Sequence, residues 1–200
     1  PTVGTKKALL RLLGYLKRTM NFKLGGRRME GCVLTYFSDS DHAGDRPNTT
    51  RSHTGVMLCI NGIPIQWVSR RQPKSSTSPA AAEIYALSEA IKESRYLQWC
   101  LEEFGWAVKW PMRLNVDSAQ AESFANDTCA KSKLRGTYDV REHWVKELRD
   151  DGLVLVKHVH VRSSNDLADL LTKCFERGKF MELLAKFSDR SFSQLGAHVC

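Results

Sequence analysis

Asn61 and Gly62 separate two runs of strand composition, TGVMLCI over residues 54–60 and IPIQWVSR over 63–70. An Asn-Gly pair between such runs selects a two-residue hairpin, because both turn positions need a left-handed backbone that few residues adopt cheaply. The preceding run, 32–39, is also strand-like, so the spacing predicts an antiparallel meander at 32–39, 54–60 and 63–70. Beyond it, helical spacing alternates with two further short strand-like runs. A meander followed by helix-linked strands implies an α/β chain with a mixed five-stranded sheet and helices packed on it.

The first strand belongs to the stretch VLTYFSDSDHAGD, Val33 to Asp45, which carries Asp39, Asp41 and Asp45. Strand side chains alternate, so Val33, Thr35, Phe37 and Asp39 share one face. Asp39 therefore extends a largely apolar row, where an unpaired charge is costly. Taken alone, the stretch fits either an exposed acidic turn or a metal ligand.

Ser78 and Pro79 suit a helix cap and first turn, and the stripe Ala86, Leu87, Ala90, Leu97, Leu101 and Phe104 predicts a helix over 80–104. Glu83 lies one turn before Ala86 and Leu87, within that stripe and off the wet face. A first-turn glutamate also complements the helix dipole, but an exposed position would serve the dipole equally well. In MRLNVDSAQAESFAND a short strand passes into a helix, and Asp117 at the junction fits an ordinary N-cap. A helix is expected from about Tyr138 to Asp150, and LVLVKHVHV over 153–161 reads as the fifth strand, with His158 and His160 as strand residues among valines. The helix opening at Asn165, NDLADLLTKCF, has the stripe Leu167, Leu170, Leu171 and Cys174, leaving Asp169 off it in a charge pair with Lys173. A last helix is expected over 176–188, followed by a loose tail.

At the other end, Leu9, Leu12, Leu13, Leu16 and Met20 form one stripe of a basic amphipathic helix over 6–18, a piece suited to docking on a neighbour. The formal charge of +8 concentrates there: residues 1–30 hold eight bases and one acid, whereas the other 170 carry 22 bases and 21 acids. Nucleic-acid contact by the body must therefore come from local patches. RRQPKSSTSPA supplies Arg70, Arg71, Gln72 and Lys74 beside several hydroxyls, and a second loop supplies Lys131, Lys133 and Arg135. Cys32, Cys59, Cys100, Cys129, Cys174 and Cys200 are scattered without a CxxC pair and read as core residues of an intracellular, reducing compartment. No apolar run reaches the length of a membrane span, and PTVGTKKALL lacks the ordered segments of a signal peptide, so no membrane partner is expected.

If the first and fourth strands are neighbours, Asp39 and Asp117 emerge side by side, with Glu83 facing them. Carboxylates converging in this way repel unless divalent cations neutralise them, and an all-oxygen donor set selects Mg²⁺ or Mn²⁺ over zinc. Two such ions can activate water and stabilise the leaving oxygen in phosphodiester cleavage.

The segments YFSDSDHAGD, RSHTGVMLCINGIPIQWVSRRQP, AAAEIYALSEAIKE, VDSAQAESFAND, YDVREHWVKELRDDG and NDLADLLTK, in this order, resemble the RNase H domain of copia-type LTR retrotransposon polyproteins. KKALLRLLGYLKRT is similar to the end of their reverse transcriptase, its thumb or connection. The resemblance implies an RNase H-like fold of the ribonuclease H/retroviral integrase superfamily, a five-stranded mixed sheet with flanking helices. It divides the chain into a reverse transcriptase remnant helix at 1–30, an RNase H-like domain at 31–175, and a C-terminal helix and tail at 176–200. It makes Asp39, Glu83, Asp117 and Asp169 the catalytic and metal-binding acids of a two-metal ribonuclease H. The implied cofactor is Mg²⁺ with Mn²⁺ as substitute, and the implied partners are an RNA–DNA hybrid and the upstream reverse transcriptase. Asp39 would bridge both ions, Glu83 and Asp117 holding one and Asp169 the other.

The chain departs from the pattern at Pro79, Ala80 and Ala81, where copia-like sequences carry hydroxyls. The loop Arg162–Asn165 lacks the mobile histidine of other RNases H, a gap that His160 could fill in part. No YxDD motif is present, so the stretch does not itself copy nucleic acid. A catalytically silent, domesticated subunit of a larger assembly is the alternative of another class. An integrase is disfavoured because its acid triad ends in glutamate, and a junction resolvase would prefer branched DNA.

Overall fold

In the computed structural model, residues 2–25, 31–44, 49–126, 140–159 and 166–186 are described, and of 140–143 the backbone alone. The elements are α1 (Val3–Arg18), β1 (Leu34–Asp41), β2 (His53–Ile60), β3 (Ile63–Arg71), α2 (Pro79–Glu103), β4 (Met112–Val116), α3 (Ala119–Ala125), α4 (Val140–Asp150), β5 (Val154–His158), α5 (Asp169–Thr172) and α6 (Arg177–Leu184).

The expected meander forms. Asn61 and Gly62 both take positive φ, 51° and 83°, as a tight hairpin turn requires. The sheet order is β3-β2-β1-β4-β5. β1 and β3 run antiparallel to β2, whereas β1–β4 and β4–β5 are parallel pairs. Burying β1 between β2 and β4 makes it the central strand, and its register with β4, Ser38 opposite Val116, brings Asp39 level with Asp117.

Each face of the sheet has its own core. On one, Leu34, Tyr36, Leu58, Leu114 and Val156 pack beneath Ile84, Leu87 and Ile91 of α2. On the other, Met57 and Cys59 with Phe37 meet Leu167, Leu183 and Leu184. Asp39, sharing the Phe37 face, is buried between sheet and α5 and not on the α2 side.

Several boundaries differ from the sequence expectation. β1 continues to Asp41, because Ser40 and Asp41 keep pairing with Thr54 and His53. The segment after residue 165 does not form one long helix: α5 spans Asp169–Thr172 and the chain turns extended at Lys173. The Asp166 carboxylate accepts from the Ala168 amide (2.8 Å), closing a turn ahead of that helix. Phe104, expected in the α2 stripe, is exposed. α1 buries none of its residues, and its leucines stand open, with Tyr15 meeting the Phe180 ring edge-on at 6.1 Å between centroids. No helix among the described residues is long and apolar enough to cross a membrane.

Candidate active site

Three carboxylates converge where β1, β4 and α5 meet. One oxygen each from Asp39, Asp117 and Asp169 lies within 4.8 Å of the others. Asp39 is 1% exposed, set into the middle of the central strand. Asp117 follows β4 directly, and the N-cap of α3 is Ser118, whose hydroxyl accepts from the Ala121 amide (3.2 Å). The capping role that the sequence allowed for Asp117 thus falls to its neighbour, and the Asp117 carboxylate points elsewhere. Asp169 reaches the cluster because α5 lies against β2 beside Asp39.

That approach depends on Gly55, which pairs with Asp39 across the β1–β2 ladder. A Cβ on Gly55 would come within 2.7 Å of Thr172 Cγ2 and 2.9 Å of the Ala168 carbonyl oxygen. The Thr172 hydroxyl donates to Asp39 Oδ2. One residue on, Lys173 Nζ lies 2.5 Å from Asp169 Oδ1, 3.2 Å from Asp39 Oδ1 and 3.4 Å from Asp117 Oδ2. The predicted Asp169–Lys173 charge pair exists, but it forms inside the acid cluster and not on a wet helix face.

Glu83 is buried on α2 as its stripe position implied. Its Oε1 accepts from the Ser40 amide (3.2 Å), while Oε2 is buried without a hydrogen-bond partner. Burial, then the charges of Asp39 and Asp117, push its carboxyl up to about 9. Burial and Asp39 also raise Asp117, against the lowering effect of Lys173. Asp166 is raised well above the usual range, chiefly by burial, and its Oδ2 too lacks a partner. Burial alone would lower Lys173, but its hydrogen bond to Asp169 and the surrounding carboxylates hold it above the ordinary lysine range.

This donor set fits a hard divalent cation. It is all oxygen, it carries more negative charge than Lys173 can balance, and the orphaned Glu83 oxygen lacks what a cation would supply. Asp41 and its neighbours line an adjoining cavity of about 580 Å³, with His53, Arg71, Thr172 and Lys173 on its wall. This is the side from which a polyanion could approach the acids.

The expected nucleic-acid contacts divide. Arg71 lines that cavity, and Lys74 is exposed. Arg70 is ion-paired with the buried Glu89. Gln72 is not a surface residue: it is 2% exposed, and its amide donates to Thr54 Oγ1 (3.0 Å) and the Ala82 carbonyl (3.1 Å) and accepts from the Ser76 hydroxyl (2.8 Å). Buried polar groups must be satisfied, and here that satisfaction ties β2 to the start of α2. Lys131, Lys133, Arg135 and His160 lie outside the described residues. His158, read as a strand residue, closes β5, and its ring Nε2 lies 3.0 Å from the Asp117 carbonyl oxygen.

Sequence reasoning passed over Gly55, Thr172 and Asp166. Gly55 inside a strand pattern was the available signal, since an interior strand glycine often marks a close approach.

No protein-family model matches the chain. It is 32% identical over 148 residues to the Retrovirus-related Pol polyprotein from transposon TNT 1-94 of Nicotiana tabacum, covering 74% of this chain and 11% of that protein. With the Retrovirus-related Pol polyprotein from transposon RE1 of Arabidopsis thaliana it shares 27% identity over 186 residues, 93% of this chain and 12% of that one. The chain thus spans about a tenth of the length of these relatives. Among solved structures, LC11-RNase H1, isolated from compost by a metagenomic approach, aligns with a TM-score of 0.46 at 18% identity, over 70% of this chain and 91% of that one.

Proposed function

Because this chain is homologous to a segment of the Retrovirus-related Pol polyproteins of copia-like transposons, we propose that it is an RNase H-type endonuclease hydrolysing the RNA strand of RNA–DNA hybrids by a two-metal mechanism. The observation that carries the reading is the convergence of Asp39, Asp117 and Asp169 within 4.8 Å, beside the buried Glu83 carboxyl with its orphaned oxygen. A stability role does not explain such a cluster, because the charge of Asp39 adds to the cost of ionising both Glu83 and Asp117.

Mg²⁺, or Mn²⁺ in its place, would supply activation of water and stabilisation of the leaving oxygen. Asp39, Glu83, Asp117 and Asp169 would hold these ions, Asp39 serving both, Glu83 and Asp117 one and Asp169 the other. Thr172 orients the Asp39 carboxylate through its hydrogen bond. Arg71, and Lys74 beyond it, offer charge to the phosphates of a bound strand, as would Lys131, Lys133 and Arg135. Such contacts hold the backbone and leave discrimination to duplex shape and the 2′-hydroxyls of the RNA strand. Water is the nucleophile, and the products carry 3′-hydroxyl and 5′-phosphate ends. Residues 1–30 would be the tail of a reverse transcriptase, 31–175 the nuclease and 176–200 a C-terminal appendage.

The reading is tested by incubating end-labelled RNA–DNA hybrid with the protein in Mg²⁺ and in chelator. Metal-dependent cutting of the RNA strand, with duplex DNA untouched, is expected. The open leucines of α1 favour one alternative, a catalytically silent RNase H-like subunit docked in a larger assembly; an intact hybrid would be its signature.

A further inference from the structure

We propose that Lys173 is a built-in counter-ion of the metal-free site, its ammonium standing where a divalent cation binds and leaving when one enters. The inference rests on the reading of the acids as a metal site. Lys173 Nζ contacts all three clustered carboxylates, at 2.5 Å from Asp169, 3.2 Å from Asp39 and 3.4 Å from Asp117. Their oxygens lie within 4.8 Å of one another, so a divalent cation held by any of them would meet the ammonium. An ammonium and a divalent ion cannot share that space, since like charges at contact distance repel strongly in a partly buried site.

Charge balance shows why the arrangement is temporary. One ammonium leaves three ionised carboxylates with an excess of negative charge, whereas two divalent cations balance the three together with Glu83. The lysine also has somewhere to go. Its side chain is 39% exposed and borders the cavity that holds Arg71 and His53, so a rotamer change carries the ammonium toward the phosphates of a bound strand without breaking the fold. The same residue would thus guard the acids when no metal is present and pair with substrate when it is.

Calorimetric titration of the full chain with MnCl₂, after chelator treatment, tests this on wild type, Lys173→Met and Asp39→Asn. Removing the competing cation is expected to tighten Mn²⁺ binding by about tenfold, within the usual range for linked binding equilibria. In wild-type protein, acylation of Lys173 by an N-hydroxysuccinimide ester, followed by mass spectrometry, is expected to speed up severalfold on adding Mn²⁺. A Lys173→Met isotherm that matches or is weaker than wild type overturns the displacement. If that variant does not fold, an acylation rate unmoved by Mn²⁺ overturns it. Wild type that takes up no Mn²⁺, or Asp39→Asn that takes it up equally, contradicts the metal-site reading itself, and the displacement falls with it.

Discussion

Asp39 faces Gly55 across the β1–β2 ladder, and the space left by the missing Gly55 side chain is filled by α5, which carries Asp169 and Thr172 to the Asp39 carboxylate. Backbone and helix contribute the crowding atoms, so the site cannot relax by moving one flexible side chain.

Gly55→Ala is therefore expected to lift α5 from the sheet. Overpacking of this kind costs about 1–3 kcal/mol, seen as a lowered thermal midpoint, and hybrid cleavage should fall at least about tenfold at temperatures where the variant is folded, because reacting groups tolerate little misplacement. Gly178→Ala, where an added Cβ meets nothing within 4 Å, should leave cleavage unchanged. Equal effects of the two would show that the glycine does not position the helix.

Glu83 sets a pH dependence whose sign is fixed. Its folded-state value of about 9 lies above its ordinary value of 4.5, so between these the folded chain holds a proton that the unfolded chain has released. The contribution of Glu83 to the stability of the metal-free protein is then fully present below about pH 4.5 and is lost as pH rises toward about 9. Asp117 and Asp166, also raised, act in the same direction. Urea midpoints in chelator should drop from pH 5 to pH 8.5, and Glu83→Gln should flatten the drop. Divalent metal should bind more tightly as pH rises over the same window, with proton release, because its ligands must ionise.

Adjacent arginines should separate by role. Arg70→Ala loses the ion pair to Glu89 and is expected to cost roughly 1 kcal/mol of stability while leaving the salt dependence of hybrid binding unchanged. Arg71→Ala, by contrast, should make the salt-dependence slope of hybrid binding smaller by about 1. Binding isotherms at several salt concentrations, with thermal melts, decide between this and two interchangeable surface cations.

Gln72→Ala should act through the fold. Deleting the amide strands Thr54 and Ala82 polar groups in a closed interior, at about 1–3 kcal/mol. Because Ala82 precedes Glu83, cleavage should fall with stability while the salt slope of hybrid binding stays as in wild type. A reduced slope would return Gln72 to the binding surface.

Much of this was legible in the chain. Asn61-Gly62 fixed the hairpin through its backbone requirement, and the placing of Glu83 in its helix stripe followed from period alone. Asp117 and Asp169 were not legible from spacing, because whether Ser118 or Asp117 caps α3, and which way α5 turns, depends on tertiary contacts; the family resemblance singled them out. Gln72 misled because its loop is basic and hydroxyl-rich, and only the closing of β2 against α2 puts its amide inside. Lys173 was visible as a charge partner of Asp169, but its reach to Asp39 and Asp117 arises from the chain turning extended after Thr172.

The central claim is that these acids cut RNA paired to DNA, and the direct measurement compares wild type with Asp39→Asn on labelled RNA–DNA hybrid in Mg²⁺. Wild type should release RNA fragments ending in 3′-hydroxyls, and the variant should be slower by about three orders of magnitude, the loss that follows removal of a main stabiliser of transition-state charge. A hybrid left intact by wild type, or cut equally by both proteins, would contradict the account.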